Sequence, residues 1–163
     1  MKRQKQLFFM TYAAVIAALY VLLTVLSAGL ASGVIQLRLA EALCILPYFT
    51  PAAIPGLFGG CILANLITGC APWDIVFGSL ATLLGAAVAY LLRHRRYLAP
   101  IPNIVANTLI VPLVLRHVYG AEKALPYLFL TVGTGEILSS GVLGIALLLV
   151  LDRYAGHLVP ARK

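Results

Sequence analysis

Five polar side chains stand out in a chain that otherwise reads as hydrocarbon: Glu41, Asn65, Asp74, Asn107 and Glu136. They are the types that hold small polar molecules, since carboxylates accept from N–H donors or balance a cation and carboxamides donate and accept. Reaction chemistry has no comparable support. No nucleophile or metal cluster accompanies them, and His94, His117 and His157 fall in loops or at ends. Cys44, Cys61 and Cys70 match no metal or redox spacing and read as small hydrophobes. A Gly-x-x-x-x-Gly-Lys-Ser/Thr loop, a His-Glu-x-x-His and a Gly-x-Ser-x-Gly are all absent. A binding chain is expected, with no catalytic residue, no metal and no cofactor.

The elements that must position these residues are set by hydropathy. Of 163 residues, 62% are hydrophobic before glycine is counted, against roughly 45–50% with glycine in soluble domains. Twelve basic and five acidic residues leave 6–37 and 42–73 without any ionic side chain. A membrane helix takes about 20 residues, so the chain has room for six in one transmembrane domain over 1–163. The charge of +7 then reports orientation in a lipid bilayer rather than a nucleic-acid partner. Lys2, Arg3 and Lys5 precede an apolar run too long for a cleaved signal, so that run is expected to stay as the first helix.

The predicted spans are 7–28, 34–49, 52–68, 73–92, 101–118 and 125–151. Pro47, Pro51 and Pro55 divide 38–68 into two, because each removes a backbone donor. Parity supports the division. The cluster Arg93, Arg95 and Arg96 and both basic termini belong on the cytoplasmic side, which requires an even number of crossings between them. The expectation is an all-α integral membrane protein, a compact bundle of six transmembrane helices with N- and C-termini cytoplasmic. Its second helix is short: Arg38 to Phe49 gives about 18 Å against a core of about 30 Å, so it must start near Val34 or stop short of the far surface.

With this topology all five polar residues lie in the outer half or near the midplane, which suggests a cavity open outward. Intramembrane polar groups usually face a cavity or a partner. Other roles stay open for each: Arg38 and Glu41, three apart, can pair on one helix; Asp74 can cap the fourth helix; Trp73 can be an interfacial belt residue; Asn65 and Asn107 can join helices. Glu136 has the least structural explanation, with Gly133, Gly135 and Gly141 around it and no base nearby in sequence. Ala13 with Ala17, and Ala14 with Ala18, form two small-residue pairs that permit close helix approach, as do Gly56 and Gly60, which are expected to serve internal packing.

The sequence resembles the QueT family of queuosine-precursor transporters, substrate-binding subunits of energy-coupling factor importers. The resemblance rests on Ile35 to Leu43, Leu46-Pro47-Tyr48-Phe49, Ala53 to Gly59, Asn65, Asp74 to Leu83 and Gly133-Thr134-Gly135-Glu136. It implies a six-helix subunit in a bacterial plasma membrane that binds a 7-deazaguanine at its outer face. A transmembrane coupling protein with two ATPase subunits would then move the ligand inward. Under that reading the ring N–H and exocyclic amine of the ligand suit a bidentate carboxylate, and Glu136 is the first choice. Asn107 and Asn65 would read the carbonyl and pyrrole N–H, Trp73 would stack, Asp74 or Glu41 would meet an aminomethyl cation, and Arg38 would orient Glu41. Ala13, Ala17, Ala14 and Ala18 would dock the coupling protein. Two alternatives are a self-contained channel or facilitator, which should be polar through its inner half too, and a membrane enzyme using Glu41, Asp74 and Glu136 as acid/base groups.

Overall fold

The computed structural model describes residues 2–31 and 36–158, all of whose regular structure is helical. Six helices follow one another: α1 (Lys2–Leu26), α2 (Leu39–Tyr48), α3 (Ala53–Ile67), α4 (Pro72–Leu91), α5 (Ile101–His117) and α6, which runs through Leu125–Glu136, Ile137–Leu143 and Gly144–Leu158. Short turns occupy Ala28–Ala31 and Arg96–Leu98. The expected start of the second span at Val34, Ser32, Ile35, Arg162 and Lys163 lie outside the described residues.

Local chemistry sets the boundaries. Between α2 and α3 the chain breaks at Thr50 to Ala52, around Pro51, as the prolines require. Pro72 opens α4 in the first turn, where its missing N–H costs nothing. Gly69 ends α3 with φ +73: its N–H reaches the Leu66 carbonyl at 3.2 Å and that of Cys70 the Asn65 carbonyl at 2.9 Å, a termination that favours a residue without a Cβ.

Four helices, α1, α4, α5 and α6, are long and apolar enough to cross a membrane. The other two of the six, α2 and α3, are shorter apolar helices. The 15 residues of α3 reach about 22 Å. The 10 residues of α2 are a 3₁₀ helix of about 20 Å at about 2.0 Å per residue, entered from irregular backbone at Gln36 and Leu37 through an extended Arg38. That entry strand crosses α6 at mid-depth: Arg38 N–H donates to Ser139 Oγ at 3.1 Å, and a Cβ on Gly135 would overlap the Gln36 carbonyl. So α2 does stop short, and irregular backbone completes its path inside the bundle, where such backbone can exist at membrane depth.

Consecutive helices alternate in direction. Thr24 in the last turn of α1, Ser27 after it, Thr68 after α3, Asp74 in α4 and Tyr119 after α5 gather at one end. At the other, Ile45, Ala99 and Leu148 form a buried apolar plug with Tyr48, Phe49 and Leu151. The Arg93 to Arg96 loop adjoins this plug, so it shares an end with the starts of α1 and α3.

Lipid tails are as apolar as leucine, so helices associate here through close packing rather than hydrophobic exclusion. The α1–α3 contact is made that way. A Cβ on Gly56 would stand 2.8 Å from the Ala13 carbonyl, and one on Gly60 would stand 3.0 Å from Ala17 Cα and 2.9 Å from Tyr20 Cβ. Ala13 and Ala17 therefore face α3, whereas Ala14 and Ala18 are exposed. Around the bundle Leu7, Phe8, Leu22, Leu84, Leu109 and Leu130 are among many large apolar side chains left exposed, as a lipid-facing surface requires.

Candidate functional site

At the end away from the plug, α1, α3, α4, α5 and the entry to α2 enclose a cavity of about 410 Å³. Tyr20, Thr24 and Ser27 come from the α1 side, Gln36 and Arg38 from the entry strand, Asn65 and Thr68 from α3, Asp74 from α4, and Leu115 and Tyr119 from the α5 side. Asp74 owes its place to the first turn of α4, and Arg38 to the extended backbone that precedes α2. Gly78, one turn after Asp74, leaves room for both polar side chains: a Cβ there would meet Asn65 Nδ2 at 3.4 Å and Asp74 Oδ1 at 3.5 Å. Arg38 makes no side-chain hydrogen bond or ion pair among the described residues.

Beneath the cavity lies a buried polar network centred on Glu41. Its Oε1 accepts from the Tyr20 hydroxyl at 2.6 Å; its Oε2 accepts from Asn103 Nδ2 at 2.9 Å, Cys44 Sγ at 3.2 Å and Asn107 Nδ2 at 3.4 Å. Asn103 Nδ2 also reaches Glu136 Oε2 at 3.3 Å. One amide group thus bridges two carboxylates from α2 and α6. Its orientation follows from them, because the flipped amide would turn a carbonyl oxygen on both. Asn103 Oδ1 is left buried without a hydrogen-bond partner among the described residues, close over Gly85, where a Cβ would come within 2.8 Å of it. Tyr20 belongs to both regions: its side chain lines the cavity and its hydroxyl holds Glu41.

The family model described as QueT transporter matches residues 10–153 of the 163-residue chain. The chain belongs to the QueT transporter family. No curated protein and no solved structure matches it. Family membership and the four membrane-capable helices make it a multi-pass membrane protein of a transporter family, with a small-molecule substrate.

In this QueT family member Arg38, Asn65 and Asp74 are brought together on the cavity. Glu41, Asn107 and Glu136 are brought together too, but in the network behind it, 1%, 2% and 5% exposed. Glu136, the first choice for ligand contact, does not line the cavity, because its carboxylate is turned to Asn103 at the point where α6 passes from α to π geometry. Arg38 and Glu41 make no direct hydrogen bond or ion pair among the described residues: Glu41 points into the bundle on the first turn of α2, while Arg38 sits outside the helix on extended backbone, and the Glu41 carboxylate acts on the guanidinium through charge alone. Trp73 is 62% exposed and stacks on Phe77 with centroids 6.0 Å apart, on the outside of α4. It stands away from the cavity lining because it is one residue, about 100° of helix turn, from Asp74.

The sequence reading passed over Tyr20, Asn103 and Tyr119. Asn103 is fully buried against Gly85, an opposition between two helices that nothing in its own sequence neighbourhood signals. Tyr119 holds the α5–α6 loop to α4, accepting from Ala71 N–H at 3.0 Å and donating to Asp74 Oδ2 at 2.8 Å. Its phenol is pushed up to about 12 by partial burial, opposed by the Ala71 bond and helped by the Asp74 carboxylate, so it remains a donor at neutral pH.

Proposed function

We propose that the protein is the substrate-binding subunit of an energy-coupling factor importer, taking up a queuosine precursor of the 7-deazaguanine class. The carrying observation is the one-sided cavity: Arg38, Asn65 and Asp74 line it, and the other end of the bundle is closed by Ile45, Ala99 and Leu148, each fully buried. A facilitator needs a wettable path through both halves, and an apolar plug favours binding over conduction. In this reading the plugged end, with Arg93, Arg95 and Arg96, faces the cytoplasm together with both termini, and the cavity faces out.

The ring edge of a deazaguanine offers a carbonyl acceptor beside N–H donors. Arg38, whose guanidinium makes no hydrogen bond among the described residues, supplies donors to the carbonyl; Asn65 takes a mixed donor and acceptor edge. Glu41, Glu136 and Asn107 act from below, by fixing Tyr20 and the floor. A subunit of this size without a nucleotide-phosphate loop needs an external ATPase module, reached through a transmembrane coupling protein. Ala14 and Ala18 are the proposed docking face on α1, since Ala13 and Ala17 are taken up by α3.

Calorimetry of the purified subunit against aminomethyl- and cyano-7-deazaguanine, guanine and pterins tests the reading. Saturable binding of a deazaguanine, weakened at least tenfold by Arg38→Met, is the expected result. Tighter binding of a pterin, or none of the panel, overturns it.

A further inference from the structure

Asp74 is the one carboxylate that lines the cavity among the described residues. It is 7% exposed and lies in the first turn of α4 without serving as a cap: the N-cap is Ala71, with no side-chain hydrogen bond there. Its two oxygens differ. Oδ2 accepts from the Tyr119 hydroxyl at 2.8 Å, whereas Oδ1 accepts no hydrogen bond among the described residues and lies beside Gly78. A carboxylate held in a bundle within lipid is costly unless it faces a cavity or a partner. Here it has the cavity and one spare oxygen.

The charge around the site points the same way. Two carboxylates, Glu41 and Asp74, act on a single guanidinium, that of Arg38. A neutral ligand would leave this imbalance in place. A ligand carrying an ammonium group would reduce it and bring donors to the carboxylate oxygen, Asp74 Oδ1, that lacks one among the described residues. Glu41 cannot take that part, because Tyr20, Cys44, Asn103 and Asn107 already donate to it. Glu136 is turned away from the cavity toward Asn103.

We propose that Asp74 Oδ1 reads a protonated amine on the transported molecule, and that Tyr119 is the positioning residue that anchors Oδ2 and keeps the carboxylate turned to the cavity. Such a site separates an aminomethyl ligand from a neutral analogue of similar shape. The inference rests on the deazaguanine reading above, in which the aminomethyl and cyano forms differ at this one substituent. Tyr119 suits its part because its hydroxyl is fixed from the other side by Ala71 N–H, so the donated proton has one direction to go.

The test measures dissociation constants for aminomethyl- and cyano-7-deazaguanine with the parent, Asp74→Asn and Tyr119→Phe in detergent. The parent is expected to favour the amine at least tenfold. Asp74→Asn should weaken amine binding at least tenfold more than nitrile binding, and Tyr119→Phe should lower the amine-to-nitrile preference about threefold. A loss of bulk folding would weaken both ligands alike, so the ratio isolates the charge effect. A second pair, 3-aminomethylindole and 3-cyanoindole, keeps the charge difference without the guanine edge. An Asp74-dependent amine preference in the indole pair with no deazaguanine binding keeps this proposal and overturns the queuosine reading. No Asp74-dependent preference in either pair overturns the proposal.

Discussion

Replacing Asn103 by Asp keeps the side-chain shape and exchanges its NH₂ for an oxygen, whereas Asn103→Leu removes polarity at similar size. In the parent that NH₂ serves Glu41 Oε2 at 2.9 Å and Glu136 Oε2 at 3.3 Å, with Ser140 Oγ a weak third at 3.5 Å. Hydrogen bonds to charged groups are worth about 1.5–3 kcal/mol each in soluble proteins. In membrane bundles the measured average is about 0.6 and the maximum about 1.7 kcal/mol, because the lipid-embedded unfolded chain finds other partners. The lower scale applies here, so losing both bonds costs about 1–3 kcal/mol. Asn103→Leu also removes the unpartnered Oδ1, which offsets part of this. Asn103→Asp loses the same donor and sets a third carboxylate against two others, and an uncompensated buried charge costs about 3–5 kcal/mol. With a melting shift of about 2–4 °C per kcal/mol at this size, Asn103→Leu should melt about 2–12 °C below the parent and Asn103→Asp about 6–20 °C below it. Thermal unfolding of the purified protein at pH 7, followed by tryptophan fluorescence, gives the order. If Asn103→Asp melts at or above Asn103→Leu, Asn103 works by shape, and the bridge between Glu41 and Glu136 is not what holds α2, α5 and α6 together.

Gly60→Val should separate α1 from α3, since even a Cβ would lie 2.9–3.0 Å from Tyr20 and the Ala17 backbone; overpacking of this kind costs about 1–3 kcal/mol, and an unchanged melting temperature would refute the close contact. Ala14→Trp or Ala18→Trp should abolish cellular uptake and co-purification with an ATPase module while leaving ligand affinity within about threefold, whereas Ala13→Trp should lower stability as well; full uptake by both exposed-face variants would place docking elsewhere. Tyr119, with its folded pKa near 12 against the usual 10, binds its proton more tightly when folded. Its contribution to stability is therefore whole below about pH 10 and lost between about 10 and 12; the phenolate absorbance of parent minus Tyr119→Phe should titrate near 12, and titration near 10 would remove the Asp74 bond from the account. With native cysteines replaced, Arg95→Cys should resist impermeant thiol reagents in intact cells and Glu122→Cys should react; the reverse pattern would invert the orientation.

Much of this protein was legible before folding. Hydropathy is a local property, so uncharged stretches mark the membrane segments whatever their packing, and Pro51 breaks a helix wherever it stands. The gathering of Arg38, Asn65 and Asp74 followed from topology, because alternating spans bring residues near alternate helix ends to one side. Rotation about each helix axis and depth within the bundle are set by neighbours, and these were not legible. Whether Ala13 or Ala14 faces a partner depends on where Gly56 and Gly60 lie on another helix. The path into α2 lies against Gly135 of another helix, where the Gln36 carbonyl leaves no room for a Cβ. Asn103 and Glu41 are 62 residues apart, and Asn103 and Glu136 are 33 apart. Composition and spacing identified acids expensive enough to need a purpose, but only tertiary packing decided which carboxylate the cavity receives: Glu41 is held by Tyr20, Cys44, Asn103 and Asn107, Glu136 is turned to Asn103, and Asp74 lines the cavity with Oδ1 accepting no hydrogen bond among the described residues.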